Sequence, residues 1–307
     1  MLVRVLGAAA GGGFPQWNAN SEACRRARAG DPAARPATQA SIALSADGER
    51  WALINASPDL REQIEANPVL HPRQGMRSSP IAAVLLTNGD VDAVMGLLHL
   101  REGTPFALYA HERIHAVLNL NPLFKVLDRD LVPRRPLDPD EWHDLADREG
   151  SPLGLRIRPF VAPGKVALYL EGEAERLDTA AETGVALGIE VMAGAARLIY
   201  LANCAAMPME LLGRICGSTI LFMDGTLWRD DEMILQGVGT KTGRRMGHVS
   251  MSGPDGAIAR LTPLSIGRRI FIHVNNTNPV LLADSPERAQ LKRAGWEVAY
   301  DGMELSL

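Results

Sequence analysis

The 307-residue sequence predicts an α/β fold of two β-sheets flanked by helices. Three observations carry this expectation. Apolar strand-like runs and helix-like stretches alternate along the whole chain. No Ser/Gly linker, low-complexity tract or solenoid-length repeat divides them. Polar residues also gather at the carboxyl ends of successive strand-like runs, as they do around a cleft at a sheet edge. One domain over residues 1–307 is the simplest organisation, with a polar loop or insertion at 138–154.

Strands are expected in chain order at LVRVLG, ASIALSA, RWALIN, AAVLLT, FALYA, LRIRPF, GVALGIEVM, RLIYLA, STILFM, RRIFIHV and WEVAY. Most are bounded by Gly, Pro, Asn or Asp, and several are apolar throughout. Helices are expected at SPDLREQIEA, VDAVMGLLHLRE, ERIHAVL, MPMELLGRI, DGAIARL and SPERAQLKRAG. In the first and last of these a Ser stands just before Pro, an N-cap followed by Pro in the first helical position.

A composition of 46% hydrophobic and 22% charged residues supplies ample core. The net charge of -4 argues against nucleic acid as a partner, because such binders present a basic face. Three cysteines, Cys24, Cys204 and Cys216, are too few for a disulfide framework and point to a reduced, cytoplasmic setting. No run of about 18 apolar residues exists, so no membrane insertion is expected.

The strand tips read AAAGGGFPQWN, ASPDL, NGDVD, ANC, DGTLW and VNNTNP. Gly11–Gly13 lacks the pattern of a phosphate loop and reads as a tight turn that lets backbone approach the cleft. His71, His111, His115 and His143 stand in helical or loop contexts and read mostly as surface residues. His99, seven positions beyond Asp92 on one helix, is too distant to share a metal with it. His273 ends an apolar strand beside Asn275, Asn276, Thr277 and Asn278, a setting that favours a site role. His248 lies in a Gly-rich loop whose HVS start suggests a helix entry.

The long motifs VLGAAAGGGFPQWN, NASPDLREQ, TNGDVD, MDGTLWRDDEM, GVGTKTGRRMGH and HVNNTNPVL occur in order from end to end. Together they resemble the family of pyrroloquinoline quinone (PQQ) biosynthesis protein B. The resemblance implies a metallo-β-lactamase-like αββα four-layer sandwich with its site between the sheets at one edge. Hydrolases of that fold carry Thr-His-x-His-x-Asp-His where this chain has Thr87 to Ala93. Asn88 and Asp90 stand for the first two histidines, Asp92 keeps the aspartate, and Ala93 replaces the last histidine. Two-zinc hydrolysis needs more imidazole than this.

The resemblance implies instead a non-haem iron enzyme that hydroxylates a tyrosine-derived Glu-Tyr precursor of the quinone. Metal would be held by Asp90, Asp92 and His273, with Fe(II) bound weakly or not at all because Ala93 removes an imidazole. Asp90, Asp92 and His248 would serve catalysis, and Asn88, Asp224, Thr240, Asn275 and Thr277 would contact substrate. Three outcomes stay open for the missing ligand: Asp90 takes its place, His248 swings in, or the pocket persists without metal. A role as binder or carrier of the quinone or its precursor, toward the periplasm, is the alternative. Partners would be the small or dipeptide precursor and other proteins of the pathway. A structural zinc is not expected, since Ala19 and Ser21 occupy positions where relatives place thiolates and only Cys24 remains. The loop would then hold itself by packing, with Trp17 as anchor.

Overall fold

The computed structural model describes residues 1–164 and 186–307. The first sheet contains β1 (Leu2–Gly7), β2 (Ser41–Ser45), β3 (Trp51–Ile54), β4 (Ile81–Leu85), β5 (Ala107–Ala110) and β6 (Arg134–Pro136), with β14 (Glu304–Ser306) beside β1. The second contains β7 (His143–Ala146), β8 (Pro152–Val161), β9 (Leu187–Ala193), β10 (Ala196–Leu201), β11 (Ile220–Asp224), β12 (Arg268–Ile272) and β13 (Glu297–Val298). β3 to β6 pair in parallel, and so do β10 to β13. Their carboxyl ends therefore deliver loops along common edges.

Residues of both sheets meet in one apolar layer, including Ile42, Ile54 and Leu85 from the first and Ile157, Ile189 and Phe222 from the second. The outer face of the first sheet is covered by α2 (Leu60–Ala66), α3 (Val91–Val94) and α4 (Glu112–Leu120), whose Leu60, Val94, Ile114 and Leu118 share a cluster with Leu53 and Val84. α5 (Met209–Ile215), α7 (Ala257–Leu261) and α8 (Pro286–Arg293) cover the second sheet through Leu211, Leu261 and Leu291. Being covered on both faces, β2, β3 and β11 are buried at every position. This is why those strands read as continuous apolar runs rather than alternating ones. The result is the four-layer αββα sandwich. Among the described residues, no helix is long and apolar enough to cross a membrane.

Several local expectations need correction. The stretch 138–154 is no structureless loop: it carries β7 and enters β8, because Leu145 and Leu153 are buried in the core between the sheets. The strand expected at GVALGIEVM begins at Gly184, outside the described residues, and is seen from Leu187. Ser57 does not cap α2, which starts at Leu60 after Asp59. Asp59 instead accepts from the Gln39 backbone and side-chain amides at 2.8 and 2.9 Å. Ser285 does cap α8, accepting from Arg288 N at 3.0 Å with Pro286 in the first helical position.

The helix expected at VDAVMGLLHLRE is a single α-turn, α3, continued by a 3-10 helix over Met95–Leu100. Gly96 lies so close to Ser57 that an added Cβ would come within 2.1 Å of its carbonyl oxygen. His248 opens no helix: a 3-10 turn at Arg244–Met246 precedes it and α7 begins only at Ala257. His115 is not a surface residue but is buried, with Nε2 3.0 Å from the Arg135 carbonyl oxygen.

The N-terminal loop is held otherwise than expected. Trp17 is 85% exposed and anchors nothing. Phe14 and Cys24 pack instead with Ala9, Ala27 and Ala34, while Arg28 donates to the carbonyls of Gln16 and Ala19. Ser21 caps α1 (Glu22–Arg28), accepting from Cys24 N at 3.2 Å.

Candidate metal centre

The loop after β4 and the loops after β11 and β12 meet where the two sheets face each other. Asp90 occupies the N-cap position of α3, and Asp92 lies in its first turn. The loop between β4 and α3 is fixed from below by Asn55, whose Oδ1 accepts from Thr87 N and Oγ1 at 2.9 and 3.1 Å. Asn88 steadies it from within: its Oδ1 accepts from Asp90 N at 2.9 Å, and its Nδ2 donates to Asn203 Oδ1 at 3.0 Å. Gly11 approaches from the other side, where an added Cβ would stand 3.5 Å from Asp92 Oδ2. The glycine run thus brings backbone against the carboxylate.

His273 follows β12 with φ of +62°, a left-handed backbone that side chains rarely adopt. The turn sends its imidazole across to the other sheet, where Nε2 stands 3.0 Å from Asp92 Oδ2. A non-glycine residue held this way stores strain, and such strain concentrates at functional positions. The two groups perturb each other. Burial would push the Asp92 carboxyl up, but the bond and the charge of His273 outweigh it and hold it below the ordinary carboxylate range. Burial likewise opposes protonation of His273, yet the Asp92 bond and charge, reinforced by Asp224 and Asp90, raise its pKa.

Behind His273 lies a second imidazole. His248 is buried and stacks on it, with ring centroids 5.3 Å apart and planes inclined by 24°. Its Nδ1 is 2.7 Å from Asp224 Oδ2. Asp224 ends β11 with no exposed surface. Its Oδ2 also accepts from Cys204 N at 2.9 Å, and its Oδ1 accepts from Thr226 N and Oγ1 at 3.0 and 2.8 Å. Burial, with the Asp224 charge nearby, pushes the Cys204 thiol far above its usual range.

The sequence-selected residues therefore separate into groups. Asp92 and His273 touch directly, Asp90 acts on His273 through its charge, and His248 joins them through stacking. Asn275 and Thr277 are buried and face the protein: Asn275 Nδ2 donates to Thr277 Oγ1 at 2.7 Å, which donates to Glu232 Oε1 at 2.6 Å. Thr240 is exposed on the loop before Arg244. Two members of the cluster escape sequence reasoning, Thr226 and Asn203. The signal for Thr226 is the Asp-Gly-Thr turn at a strand end, which returns a hydroxyl beneath the preceding carboxylate.

Asp224, His248 and His273 offer ligand atoms within 4.8 Å of one another, the one such trio among the described residues. Thr226 Oγ1, however, sits within 3.0 Å of Asp224 Oδ1 and of both imidazole Nδ1 atoms. That leaves the Nε2 atoms of His273 and His248 and the Asp92 carboxylate as the remaining donors, and of these His273 Nε2 and Asp92 Oδ2 are in contact. Two metal–ligand bonds of about 2.1 Å span about 3.0 Å at the right angle of an octahedral ion and about 3.4 Å at the tetrahedral angle of zinc. The observed Nε2–Oδ2 separation of 3.0 Å fits both groups on one divalent ion.

The fold and this carboxylate–imidazole edge define a protein of the metallo-β-lactamase class, and residues 50–274 match the family model of the beta-lactamase superfamily domain. The chain belongs to the coenzyme PQQ synthesis protein B family. It is 54% identical over 304 residues to the coenzyme PQQ synthesis protein B of Gluconacetobacter diazotrophicus, covering 98% of each chain. The solved structure of Zn2+-bound PqqB from Methylobacterium extorquens is 52% identical, covers all of both chains and superposes with a TM-score of 0.95. A diphosphatase of the PhnP family shares the fold at a TM-score of 0.68 and 22% identity, covering 99% of this chain and 96% of its own.

Proposed function

We propose that the chain acts in PQQ biosynthesis as a metal-dependent enzyme that hydroxylates a tyrosine-derived Glu-Tyr precursor. The observation that carries this reading is the Asp92–His273 pair, joined across the two sheets at 3.0 Å. Asp92 and His273 Nε2 would hold the ion, with Asp90 at the same edge. A carboxylate–imidazole set suits Fe(II), and it accepts Zn2+ as well. Bound iron would supply activation of dioxygen for attack on the aromatic ring. The stacked His248 is the imidazole nearest to replacing the one absent at Ala93.

The protein's own groups then divide the remaining work. When it is not serving as that ligand, His248, held at Nδ1 by Asp224, would accept a proton from a phenol through Nε2. Asp90, whose charge acts on His273 at the same edge, would be a second proton acceptor. Asn88 stands at this edge, but it is buried and both ends of its amide are engaged by Asp90 N and Asn203, so its role would be to support the loop. Asp224, Asn275 and Thr277 are reassigned from substrate contact to support, because each is buried and engaged by protein.

The test is anaerobic Fe(II) titration followed by oxygen, a Glu-Tyr-containing precursor and an added two-electron reductant, which carries the second oxygen atom to water, with product read by mass spectrometry. A mass gain of one oxygen that requires Fe(II) and disappears in Asp92→Ala supports the reading. Absence of product from iron-loaded protein overturns it. Ala93 favours a second reading, a carrier of the quinone or its precursor, since binding needs no ion. Equilibrium dialysis showing equal PQQ binding by the parent and by Asp92→Ala would favour the carrier.

A further inference from the structure

Thr226 occupies a position that the proposed chemistry does not use. Its Oγ1 lies 2.8 Å from Asp224 Oδ1, 2.8 Å from His273 Nδ1, 3.0 Å from His248 Nδ1 and 3.1 Å from the His273 carbonyl oxygen. A hydroxyl has one proton to give and two lone pairs with which to accept. The ionised carboxylate is the strongest acceptor within reach, so the proton goes to Asp224 Oδ1. Both imidazoles must then approach as donors, each with its proton on Nδ1. His248 shares that proton between Thr226 and Asp224 Oδ2, at 3.0 and 2.7 Å.

The turn that places this hydroxyl is tightly constrained. At Gly225 a Cβ would come within 2.9 Å of the Ile272 carbonyl and of Phe271, so only glycine lets β11 turn against β12 here. Gly225 N donates to that same Ile272 carbonyl at 2.8 Å. Asn278 Nδ2 donates to the Gly225 carbonyl at 3.1 Å and locks the turn to the loop after His273. The hydroxyl and the strained histidine are thus fixed in one frame.

We propose that Thr226 is the positioning residue of the centre. By accepting from His273 Nδ1 while bonded to Asp224, it directs His273 Nε2 toward Asp92 and the metal. The proposal rests on the metal-binding reading above, and its test separates the two. Thr226→Val keeps the shape and removes the hydroxyl, whereas Thr226→Ser keeps the hydroxyl. Zn2+ affinity is measured by competition with a chromophoric chelator, and the histidine nitrogens by 15N spectra of the zinc-loaded protein. Loss of a group that orients a ligand typically costs 10- to 100-fold in affinity.

The expected result is a loss of that size in Thr226→Val and recovery to within about threefold of the parent in Thr226→Ser. In the same samples, the His273 proton stays on Nδ1 in parent and Thr226→Ser. In Thr226→Val it loses its acceptor and exchanges with solvent. Parental affinity in Thr226→Val overturns the proposal, as does a Thr226→Ser variant as weak as Thr226→Val. If the parent binds no zinc, the metal-binding reading fails, and protection of the His273 Nδ1 proton from solvent exchange in the metal-free protein still decides this one. Equal protection in all three proteins overturns it, and its loss in Thr226→Val alone supports it.

Discussion

Ala93 is 2% exposed and belongs to the apolar cluster that holds Val94 and Leu97 under the first sheet. A histidine there would add a metal ligand but must displace neighbours, and such overpacking costs about 1–3 kcal/mol. Ala93→His is expected to bind Fe(II) or Zn2+ more tightly than the parent while melting at a lower temperature without metal. Equal affinity in the two proteins, measured anaerobically by titration, would show that position 93 does not face the ion. Asp301 offers a second test at the same scale, away from the metal. Its carboxylate accepts from Ala8 N, Thr38 N and Thr38 Oγ1, but burial pushes its pKa up to about 6. From about 4, the unfolded value, to about 6 the folded chain keeps a proton that the unfolded chain has lost. This residue's contribution to stability therefore falls as pH rises through that window. A 13C titration of the Asp301 carboxyl should have its midpoint near 6, and one near 4 would refute the assignment.

Glu232 ties two elements beside the centre. It lies in α6 (Glu232–Leu235), and its Oε2 accepts from Trp228 N at 2.8 Å while Oε1 accepts from Thr277 Oγ1 at 2.6 Å. Burial raises its pKa in spite of these bonds, so the charged form is held at a cost. Glu232→Ala would orphan these buried donors and should lower stability by about 1–3 kcal/mol in urea. Glu232→Gln, which can still pair with both, should stay within about 1 kcal/mol of the parent. Equal losses in the two variants would mean that packing, not pairing, joins these loops. Elements of this kind were only partly readable from the residues. β1 was visible over its full length because LVRVLG is apolar and bounded by glycine. β6, β7 and β14 are short and polar and α6 is a single turn, so their identity comes from partners distant in sequence. Asp92 and His273 were legible as strand-end residues. Their meeting was implied only by the family likeness, and the hydroxyl of Thr226 between the imidazoles had no periodic signal at all.

At the scale of the whole molecule, the Asp92–His273 pair bridges the two sheets at their open edge. An ion bound there adds to folding stability through its preference for the native state. At a free concentration 100-fold above Kd the gain is about 2.7 kcal/mol, or a rise of roughly 5 °C in Tm for a chain of this size. Zn2+ should therefore raise Tm in the parent and leave Asp92→Ala and His273→Ala unmoved. A rise of the same size in both variants would place the ion elsewhere.

Asp92 and His273 are separated by 181 positions along the chain. During synthesis the two aspartates of the first sheet leave the ribosome long before their imidazole partner exists. A cation that meets the nascent chain finds only exposed carboxylates, which hold it weakly. Asp224, Thr226, His248 and His273 emerge later in close succession, so their hydrogen-bonded frame can set before the sheets close on each other. Loading is then a property of the finished protein rather than of its birth: chain made under chelation, once folded, should take up as much metal as chain made in its presence.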